Sequence, residues 1–422
     1  MEAIGTVVIY IMMFFVLAGA GAYIVKPTSE FGLEFKEGIL SIGHIFLPVG
    51  GVMVLVPVLA NIVNATIAPF YAWLHNDPAL AAAFIAGDMG GYQLAFELAG
   101  SHSAWIMAFA ATFTAGSTIV FSIPVGLAMI DNRDRKYMAL GVMSGLLAIP
   151  FAVLVVCLIL LATGVPLREE ISTSTPATRP FDMPLSDILL NLVPLTIIMI
   201  IIALALRFFT DKTIKVFLVF GRGLEIVLTA ALALSIVEYF TGIFSTIFGG
   251  WPLATFIADQ DDQFRALEIA GYIGVMLSGA FPMVYAIRHG LAKPLANLGA
   301  RIGVSQDGMA GFLAAAANVL ALFRIVRVMP PKEKVLTISF AVCSAFLLGD
   351  HLAFTANFQP SMIAALMAGK LFGGILAVFF ALGLVVSQAR RLEDADRAAG
   401  IIGPDEYLAD EAVAESRHQM KA

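Results

Sequence analysis

The stretch AGDMGGYQLAFELAG places two carboxylates, Asp88 and Glu97, in surroundings apolar enough to lie within a membrane. An ionisable group inside a transmembrane segment costs about 2.5–3.5 kcal/mol on insertion scales, so such residues usually face a polar cavity or a charged partner. On an unbroken helix, nine residues put the two acids on opposite faces. A helix break at Gly90 and Gly91 would let them converge on a cation, with Tyr92 supplying a ring face or hydroxyl. The competing interpretation is a structural ion pair with an intramembrane lysine or arginine.

A second intramembrane acid, Asp350, follows a glycine in FLLGDHLAF and has Phe346 and Phe354 at four-residue spacing. Aromatic faces beside an acid suit an ammonium group, since cation–π attraction adds about 0.5–2 kcal/mol where water is excluded. His351 is a candidate for relaying a proton or for donating a hydrogen bond to the acid. The alternative is a neutralising bridge between Asp350 and Lys370 of GKLFGG, with no role in binding.

Two further segments carry polar groups that suit the lining of a cavity. GSTIVFSIPVG combines the hydroxyls of Ser117, Thr118 and Ser122 with Pro124, which leaves a carbonyl one turn earlier without its helical partner. Asn318 in AAAANVL occupies the place of Thr118 when the sequence is compared with itself at an offset of 200 residues. Helix packing by small residues explains the serines and threonines equally well.

These residues belong to a chain that is too apolar for a soluble fold. It has 422 residues, of which 59% are hydrophobic and 13% charged, and its mean hydropathy is +0.90. Cys157 and Cys343 both lie inside apolar runs, which predicts packing residues and excludes a disulfide framework or a thiolate metal site. The sequence contains no phosphate-binding loop, HExxH pair or GxSxG elbow, so we expect no enzyme, cofactor, metal or nucleic-acid partner.

The apolar runs predict an all-α polytopic membrane protein with about 10–11 transmembrane or re-entrant segments, broken helices and an internal repeat. We assign residues 1–388 to a single transmembrane domain and residues 389–422 to a polar cytoplasmic tail that the membrane fold does not need. The eleven predicted segments are 4–25, 38–62, 78–98, 104–130, 137–163, 188–209, 223–247, 267–288, 308–329, 335–358 and 361–388.

Basic residues predict the sidedness of the connections. The clusters at 131–136, 207–222, 288–301, 324–334 and after 390 belong in the cytoplasm, and the loops 164–187 and 249–265 belong outside. A membrane-crossing segment at 308–329 cannot have cytoplasmic clusters at both of its ends. We therefore predict that 308–329 is a re-entrant or broken hairpin.

The motifs, taken in order, also resemble a known family. DMGG followed by ELAG, TIVFSIPVG with its DRKY turn, FPMV with KPL, and GDHLAF with GKLFGG are similar to the ethanolamine transporter family, the permease of bacterial ethanolamine-utilisation operons. The resemblance extends from the first helix to GKLFGG. It is weakest in the 164–187 loop, the 240–265 region and the tail.

The resemblance implies a secondary transporter in the bacterial cytoplasmic (inner) membrane that takes up ethanolamine, a small protonated amino alcohol; a channel or facilitator for small amines is the alternative. It leaves proton coupling, facilitated diffusion and a homodimeric assembly as open expectations. The ammonium would bind Asp88 or Asp350, with Glu97 as a further candidate acid. The remaining candidates are rings around the ammonium and partners for the hydroxyl: Tyr92, Phe121, Phe354, Ser122, Asn318 and His351.

Overall fold

The computed structural model describes residues 2–260 and 262–403, except for the side chains of Glu2 and Asp88. In this part of the chain, eight helical runs are long and apolar enough to cross a membrane. Helices suit this setting because they pair their own backbone groups where no water is available. The prediction of an all-α polytopic membrane protein is confirmed.

The first half of the chain contains two long helices, a short hairpin and two further membrane-crossing runs. Its elements are α1 (Glu2–Val25), α2 (Glu30–Thr66), α3 (Ala68–Trp73), a 3-10 turn (Pro78–Ala81), α4 (Ala82–Ile85), α5 (Asp88–Leu98), α6 (His102–Ala111), a π-helix (Thr112–Ser122), α7 (Ile123–Met129), a 3-10 turn (Asn132–Asp134), α8 (Arg135–Leu146) and α9 (Ile149–Thr163).

A loop with two short antiparallel strands follows, and a single long helix then leads into the second half. These elements are β1 (Pro166–Leu167), β2 (Arg179–Pro180) and α10 (Leu185–Phe208). The second half consists of α11 (Thr210–Thr241), α12 (Ile243–Phe248), α13 (Ala266–Ile302), α14 (Gln306–Ala317), α15 (Val319–Ile325), a 3-10 turn (Val326–Val328), α16 (Pro331–Ser344), α17 (Asp350–Phe358), a 3-10 turn (Pro360–Met362), α18 (Ile363–Leu384) and α19 (Val386–Ala398).

Residues 77–100, which we call the first hairpin, enter and leave at the same end of the molecule. The Asp77 carboxylate accepts a hydrogen bond from the Gly100 backbone N–H (2.9 Å), which joins the two limbs at their base. The next helix, α6, begins beside the 164–187 loop, where His102 Nε2 lies 3.0 Å from the Arg168 carbonyl oxygen. The sequence predicted an apolar segment at 78–98 without indicating that it is re-entrant.

Residues 305–328, the second hairpin, return to their own starting end in the same way. The Glu333 carboxylate at the start of α16 accepts the Ser305 N–H (2.6 Å) at the start of α14. Further along, a side chain at Gly311 would overlap the side chain of Met329, the residue that follows the hairpin, so the first limb packs against the end of the second. The structure therefore contains a re-entrant hairpin at the position predicted for one, 308–329.

The two hairpins open toward opposite ends of the molecule, and the elements around them repeat in the same order. Each half runs through two long helices, a hairpin, an interrupted crossing segment and a final crossing helix, with matching elements roughly 230 residues apart. The long helices α2 and α13 both contain 37 residues, and they meet through reciprocal contacts of Gly38 with Ser278 and Gly274 with Ile42. This is an inverted-topology repeat, with α10 as the connection between the halves.

The offset of 200 residues is therefore not the structural repeat. At that offset, the run His102–Met129, which crosses the membrane, would correspond to the second hairpin, which does not cross. Thr118 and Asn318 are not equivalent positions. The apolar composition common to both segments accounts for the similarity between them.

The two ends of the molecule differ sharply in charge. The end containing the 131–136 and 330–334 turns, which we call the inner end, also receives the basic residues of the α10–α11 junction, the end of α13 and helix α19. The opposite or outer end contains the 164–184 and 249–265 loops, whose basic residues are Arg168, Arg179 and Arg265. The positive-inside rule places the inner end in the cytoplasm.

The described part of the predicted tail is helical and bound to the inner end. Asp396 of α19 is buried and contacts Lys136 Nζ and the Tyr137 hydroxyl, the latter at 2.8 Å. Glu393 pairs with Arg397 at 2.7 Å on the same helix. The division at residue 388 stays a prediction, and the part of the tail after residue 403 lies outside the described residues.

Candidate substrate site

The tip of the first hairpin lies against the π-helix. Gly87 separates α4 from α5 with φ 69° and ψ −174°, a backbone conformation that is essentially restricted to glycine. A Cβ atom at Gly116 of the π-helix would come within 3.1 Å of the Ala83 carbonyl oxygen and 3.3 Å of the Gly87 carbonyl carbon. Glycines at both positions therefore let the two backbones touch.

The π-helix itself is an interruption in a crossing segment. The Ile123 N–H bonds to the Thr118 carbonyl, and the Ser122 hydroxyl donates to the Ser117 carbonyl at 2.9 Å. Pro124 follows at once and has no N–H to continue the regular ladder. Such wide turns are rare and occur frequently at functional sites.

The second hairpin meets the corresponding interruption in residues 331–358. Here the chain leaves α16 after Ser344 and resumes as α17 at Asp350, and Phe346 adopts a left-handed backbone with φ 58°. The N–H groups of Phe346 and Leu348 donate to the carbonyls of Ala315 and Ala316, at 3.2 and 2.8 Å. The hairpin tip thus satisfies backbone groups that the unwound segment exposes.

The two interrupted crossing segments also touch each other. The Thr118 hydroxyl donates to the Val342 carbonyl at 2.5 Å, and the Phe121 and Phe346 rings are 5.9 Å apart. Phe113 of the π-helix packs on the His351 ring at 4.4 Å between centroids. Two hairpin tips and two helix interruptions therefore meet in one region in the interior of the protein.

A small cavity beside this region is lined by Thr118, Ser122, Val319, Phe323 and Val342, among others, and has a volume of about 10 Å³. This is close to the minimum space that a single water molecule occupies. Ser122 and Asn318 already have backbone partners, the Ser117 carbonyl and the Leu320 N–H. The structure thus represents a closed arrangement that must open to admit an organic substrate.

The two intramembrane acids both begin helices at the interruptions. Asp350 is the first residue of α17 and is half-buried, and the backbone of Asp88 begins α5. The Asp88 side chain lies outside the described residues.

Tyr92 and Phe354 belong to an aromatic cluster between this region and the outer end. Both are fully buried and their ring centroids are 5.2 Å apart. The Tyr92 hydroxyl accepts a hydrogen bond from Gln359 Nε2 (3.3 Å), and Gln359 exchanges two hydrogen bonds with the Arg168 backbone. The arginine side chain in turn donates to the Asn357 and Phe358 carbonyls at the end of α17. The cluster ties α5 and α17 to the outer loop.

The helix break at Gly90 and Gly91 that would let Asp88 and Glu97 converge is absent from the structure. Helix α5 continues through both glycines, and the break comes earlier, at Gly87. Side chains at Gly90 and Gly91 would overlap Val52 and Thr112, so these glycines permit close packing of the helix against its neighbours. Glu97 consequently remains near the outer end, where its side chain is exposed.

Lys370 of α18 is fully buried, and its Nζ donates to the Phe113 carbonyl. This brings a positive charge to the wall of the π-helix. The features that sequence reasoning missed are the π-helix, the re-entrant first hairpin and the left-handed Phe346. One signal was present in the sequence: a Gly-Asp pair interrupts an apolar run at both 87–88 and 349–350.

Comparison with known proteins identifies the family. The sequence profile of a family described as "Ethanolamine utilisation protein, EutH" matches residues 4–384, which include both hairpins and both interrupted segments. The chain belongs to the EutH family. Its match to the family ends just before α19, so the profile covers the membrane elements and leaves out the tail helix.

Curated relatives agree with this assignment over most of their length. A "Probable ethanolamine permease EutH" from Salmonella typhimurium is 35% identical over 400 residues, covering 90% of this chain and 96% of the relative. Proteins of the same name from Escherichia coli and Listeria monocytogenes are 34% and 36% identical, covering 90% and 89% of this chain and 96% and 93% of the relatives. No solved structure matches the chain. As a EutH-family protein with eight apolar candidate spans among its described residues, the chain is a multi-pass protein of the bacterial inner membrane.

Proposed function

We propose that this protein is a permease that takes up ethanolamine across the inner membrane by alternating access. The observation that carries the proposal is the match, along nearly the whole membrane region, to relatives named as probable ethanolamine permeases. These names describe transporters rather than enzymes. The repeat architecture supports a carrier because inverted repeats with broken helices place substrate sites at the repeat interface near the bilayer midplane.

The central region offers the chemistry that protonated ethanolamine requires. The C-terminal ends of α4 and α14 lie at the two hairpin tips, where the Ala315 and Ala316 carbonyls accept hydrogen bonds from the unwound segment in this closed arrangement. Asp350 adds a carboxylate at the start of α17. Carbonyl ends of broken helices favour a cation. We propose that Asp350 and Asp88 hold the ammonium, with Phe121 and His351 beside it and with Ser122 or Asn318 meeting the hydroxyl.

The hairpins suggest how access alternates. The first hairpin separates the central region from the outer end, and the second separates it from the inner end. Release of one hairpin while the other stays closed would expose the site to one side at a time. A channel would instead require a continuous pore through the protein in its open state.

Uptake of radiolabelled ethanolamine into proteoliposomes tests the proposal. We expect saturable uptake that is accelerated by ethanolamine on the opposite side of the membrane, since a carrier returns faster when loaded. Asp350→Asn and Asp88→Asn should each lower uptake by more than about tenfold, because truncating one partner of a buried charge pair costs about 2–5 kcal/mol. Glu170→Gln, which changes an exposed acid of the outer loop, is the matched control and should transport normally.

The possible outcomes separate the parts of the proposal. Absence of ethanolamine uptake by the intact, folded protein would overturn the function. Uptake that stays linear with concentration would favour a channel. Normal transport by both aspartate variants would remove these acids from the site. An imposed pH gradient that leaves the rate unchanged would exclude proton coupling through Asp350 and His351.

A further inference from the structure

A second polar cavity lies at the outer end, well away from the central region. It has a volume of about 120 Å³ and is enclosed by α2, by the outer part of α5 and by the 249–265 loop. The loop is held inward by two hydrogen bonds of Ala254, whose N–H donates to the Val54 carbonyl (2.8 Å) and whose carbonyl accepts from the Ser235 hydroxyl (2.8 Å). This cavity is an organised feature of the fold.

The side chains of α5 that line this cavity are hydrogen-bond acceptors without partners. Gln93 is only 9% exposed, and its Oε1 is buried without a hydrogen-bond partner among the described residues. Glu97, one turn further along α5, also lines the cavity, and no ion pair is found for it in the part of the chain that the structure describes. A buried acceptor left unpaired costs about 1–3 kcal/mol, so Gln93 favours a ligand that donates to it.

The backbone of α2 adds a third acceptor. Met53 and Pro57 both line the cavity, and they are four residues apart on this helix. Pro57 has no N–H to donate to the Met53 carbonyl, which therefore lacks its helical hydrogen bond. Because Met53 lines the cavity, its carbonyl is a third candidate acceptor beside Gln93 and Glu97.

The positive charge at the rim is already balanced. Arg265 pairs with Asp259 at 3.2 Å and with Asp262 at 3.5 Å. The guanidinium is therefore held by two carboxylates of its own loop. The carboxylate of Glu97 remains available to a cation that enters from outside.

We propose that this cavity is an outer capture site that binds the primary ammonium group of the substrate before it reaches the central region, an inference that rests on the proposed function. A primary ammonium has three N–H donors, which match the Gln93 amide oxygen, the Glu97 carboxylate and the Met53 carbonyl. The hydroxyl of the substrate faces Thr255, whose side chain has only long contacts of 3.4 and 3.5 Å with Ile257.

The position of the cavity links binding of the substrate there to movement of the first hairpin. Gln93 and Glu97 lie on the same helix as Asp88, and Glu97 is about 13 Å further along it at 1.5 Å per residue. Helix α5 is the second limb of the first hairpin, and it runs from the hairpin tip back to the outer end. A cation bound between α5 and the 249–265 loop therefore holds the limb that separates the outer end from the centre.

Initial-rate kinetics in proteoliposomes test the capture site. Glu97→Gln should raise the KM for ethanolamine about tenfold, equivalent to about 1.4 kcal/mol of binding, and leave the maximal rate within about twofold. Glu97→Asp should restore part of the affinity. Gln93→Leu removes the buried acceptor without changing the charge, and it should also raise KM.

The matched control is Glu170→Gln, which removes one exposed negative charge from the same end of the molecule but outside the cavity. It should leave KM unchanged. Equal increases in KM for Glu97→Gln and Glu170→Gln would overturn the inference, because general surface attraction would then explain both. An unchanged KM in Glu97→Gln or in Gln93→Leu, with thermal melting confirming the fold, would overturn it as well. Failure of the intact protein to transport ethanolamine would instead contradict the proposed function.

Discussion

Single residues decide where the helices of this protein stop. Gly87 and Gly349 each precede an aspartate that begins a new helix, and they serve different geometric needs. Gly87 supplies a backbone conformation that other residues avoid. Gly349 has a negative φ, but a side chain there would overlap the Ala317 carbonyl at the tip of the second hairpin. The two Gly-Asp pairs therefore begin two helices near the centre of the protein by different means.

Gly87→Ala should lower the transport rate by more than the accompanying loss of folded protein can explain. A non-glycine residue in this conformation costs about 1–3 kcal/mol, and the new Cβ would also lie 3.3 Å from Val120 Cγ1. We expect a lower melting temperature and a maximal uptake rate reduced by at least about fivefold per folded protein, an effect in the range of 1 kcal/mol.

Gly242→Ala provides the control for this prediction. Gly242 is also left-handed, with φ 61°, but it ends α11 in open space. Its replacement should lower stability to a similar degree and leave the uptake rate per folded protein unchanged. Equal losses of transport in the two variants would show that strain alone, rather than the hairpin tip, limits the rate.

At the scale of elements, each hairpin is closed by a carboxylate that binds a backbone N–H across its base. Asp77 accepts from Gly100 in the first hairpin, and Glu333 accepts from Ser305 beside the second. Asp77 also caps the following turn by accepting the Ala79 N–H at 2.9 Å. Burial raises the pKa of Asp77, and its two backbone hydrogen bonds oppose that increase.

Asp77→Ala should lower the melting temperature by several degrees, because it removes two hydrogen bonds that each contribute about 0.5–1.5 kcal/mol to stability. Asp77→Asn retains an acceptor oxygen. Since the folded pKa of Asp77 lies above its unfolded value, the ionised form destabilises the fold at neutral pH, and stability rises as pH falls through that pKa. The amide avoids that cost but keeps only one of the two acceptor oxygens, so its melting temperature should lie between those of the wild type and Asp77→Ala. Equal melting temperatures for Asp77→Asn and Asp77→Ala, in detergent at neutral pH, would show instead that the charge itself closes the hairpin.

The short helix α19 shows the same principle at the inner end. Its Asp396 is buried against Lys136 and Tyr137 of the α8 region. Glu393 is also buried, whereas Arg390, Arg391 and Asp394 lie on the exposed face of the helix. The expectation that the membrane fold does not need the tail must therefore be considered separately for α19 and for the residues that follow it. The described helix makes buried contacts with the transmembrane region, and the residues after 403 lie outside the structural description.

At the scale of the whole molecule, the inverted repeat fixes the two hairpins on opposite sides. This arrangement makes a prediction about labelling from each side of the membrane. Cysteines placed at His75 and Gly100, which flank the first hairpin, should react with an impermeant maleimide added outside intact cells. Cysteines placed at Arg301 and Arg327, which flank the second, should react only after permeabilisation.

All four positions are exposed, and the native Cys157 and Cys343 are fully buried, so the background should be low. If either hairpin instead crossed the membrane, its two flanking cysteines would react from opposite sides. Labelling of all four cysteines from the inside would refute the assignment of the first hairpin to the outer end.

Composition and periodicity determined much of this architecture without any structure. Segments of roughly twenty apolar residues must become helices in a bilayer, and the eleven predicted segments correspond to nine crossings and two hairpins in the described chain. The basic clusters on both sides of 308–329 were enough to predict its re-entrant path, because charge placement is a property of the local sequence. Asp350 could likewise be identified as a candidate site residue from the sequence, because an acid within an apolar membrane segment is costly whichever way it faces.

Only the tertiary structure decided which of these residues meet. From the sequence, Gly90 and Gly91 were the candidate position for a helix break within 86–100. In the structure these glycines instead allow α5 to pack closely against Val52 of α2 and Thr112 of the π-helix. As a result Glu97 faces the outer cavity instead of joining Asp88. The inverted repeat was hidden for the same reason. Its halves share the order of their elements but run in opposite directions across the membrane, and this symmetry depends on long-range contacts that local patterns do not encode.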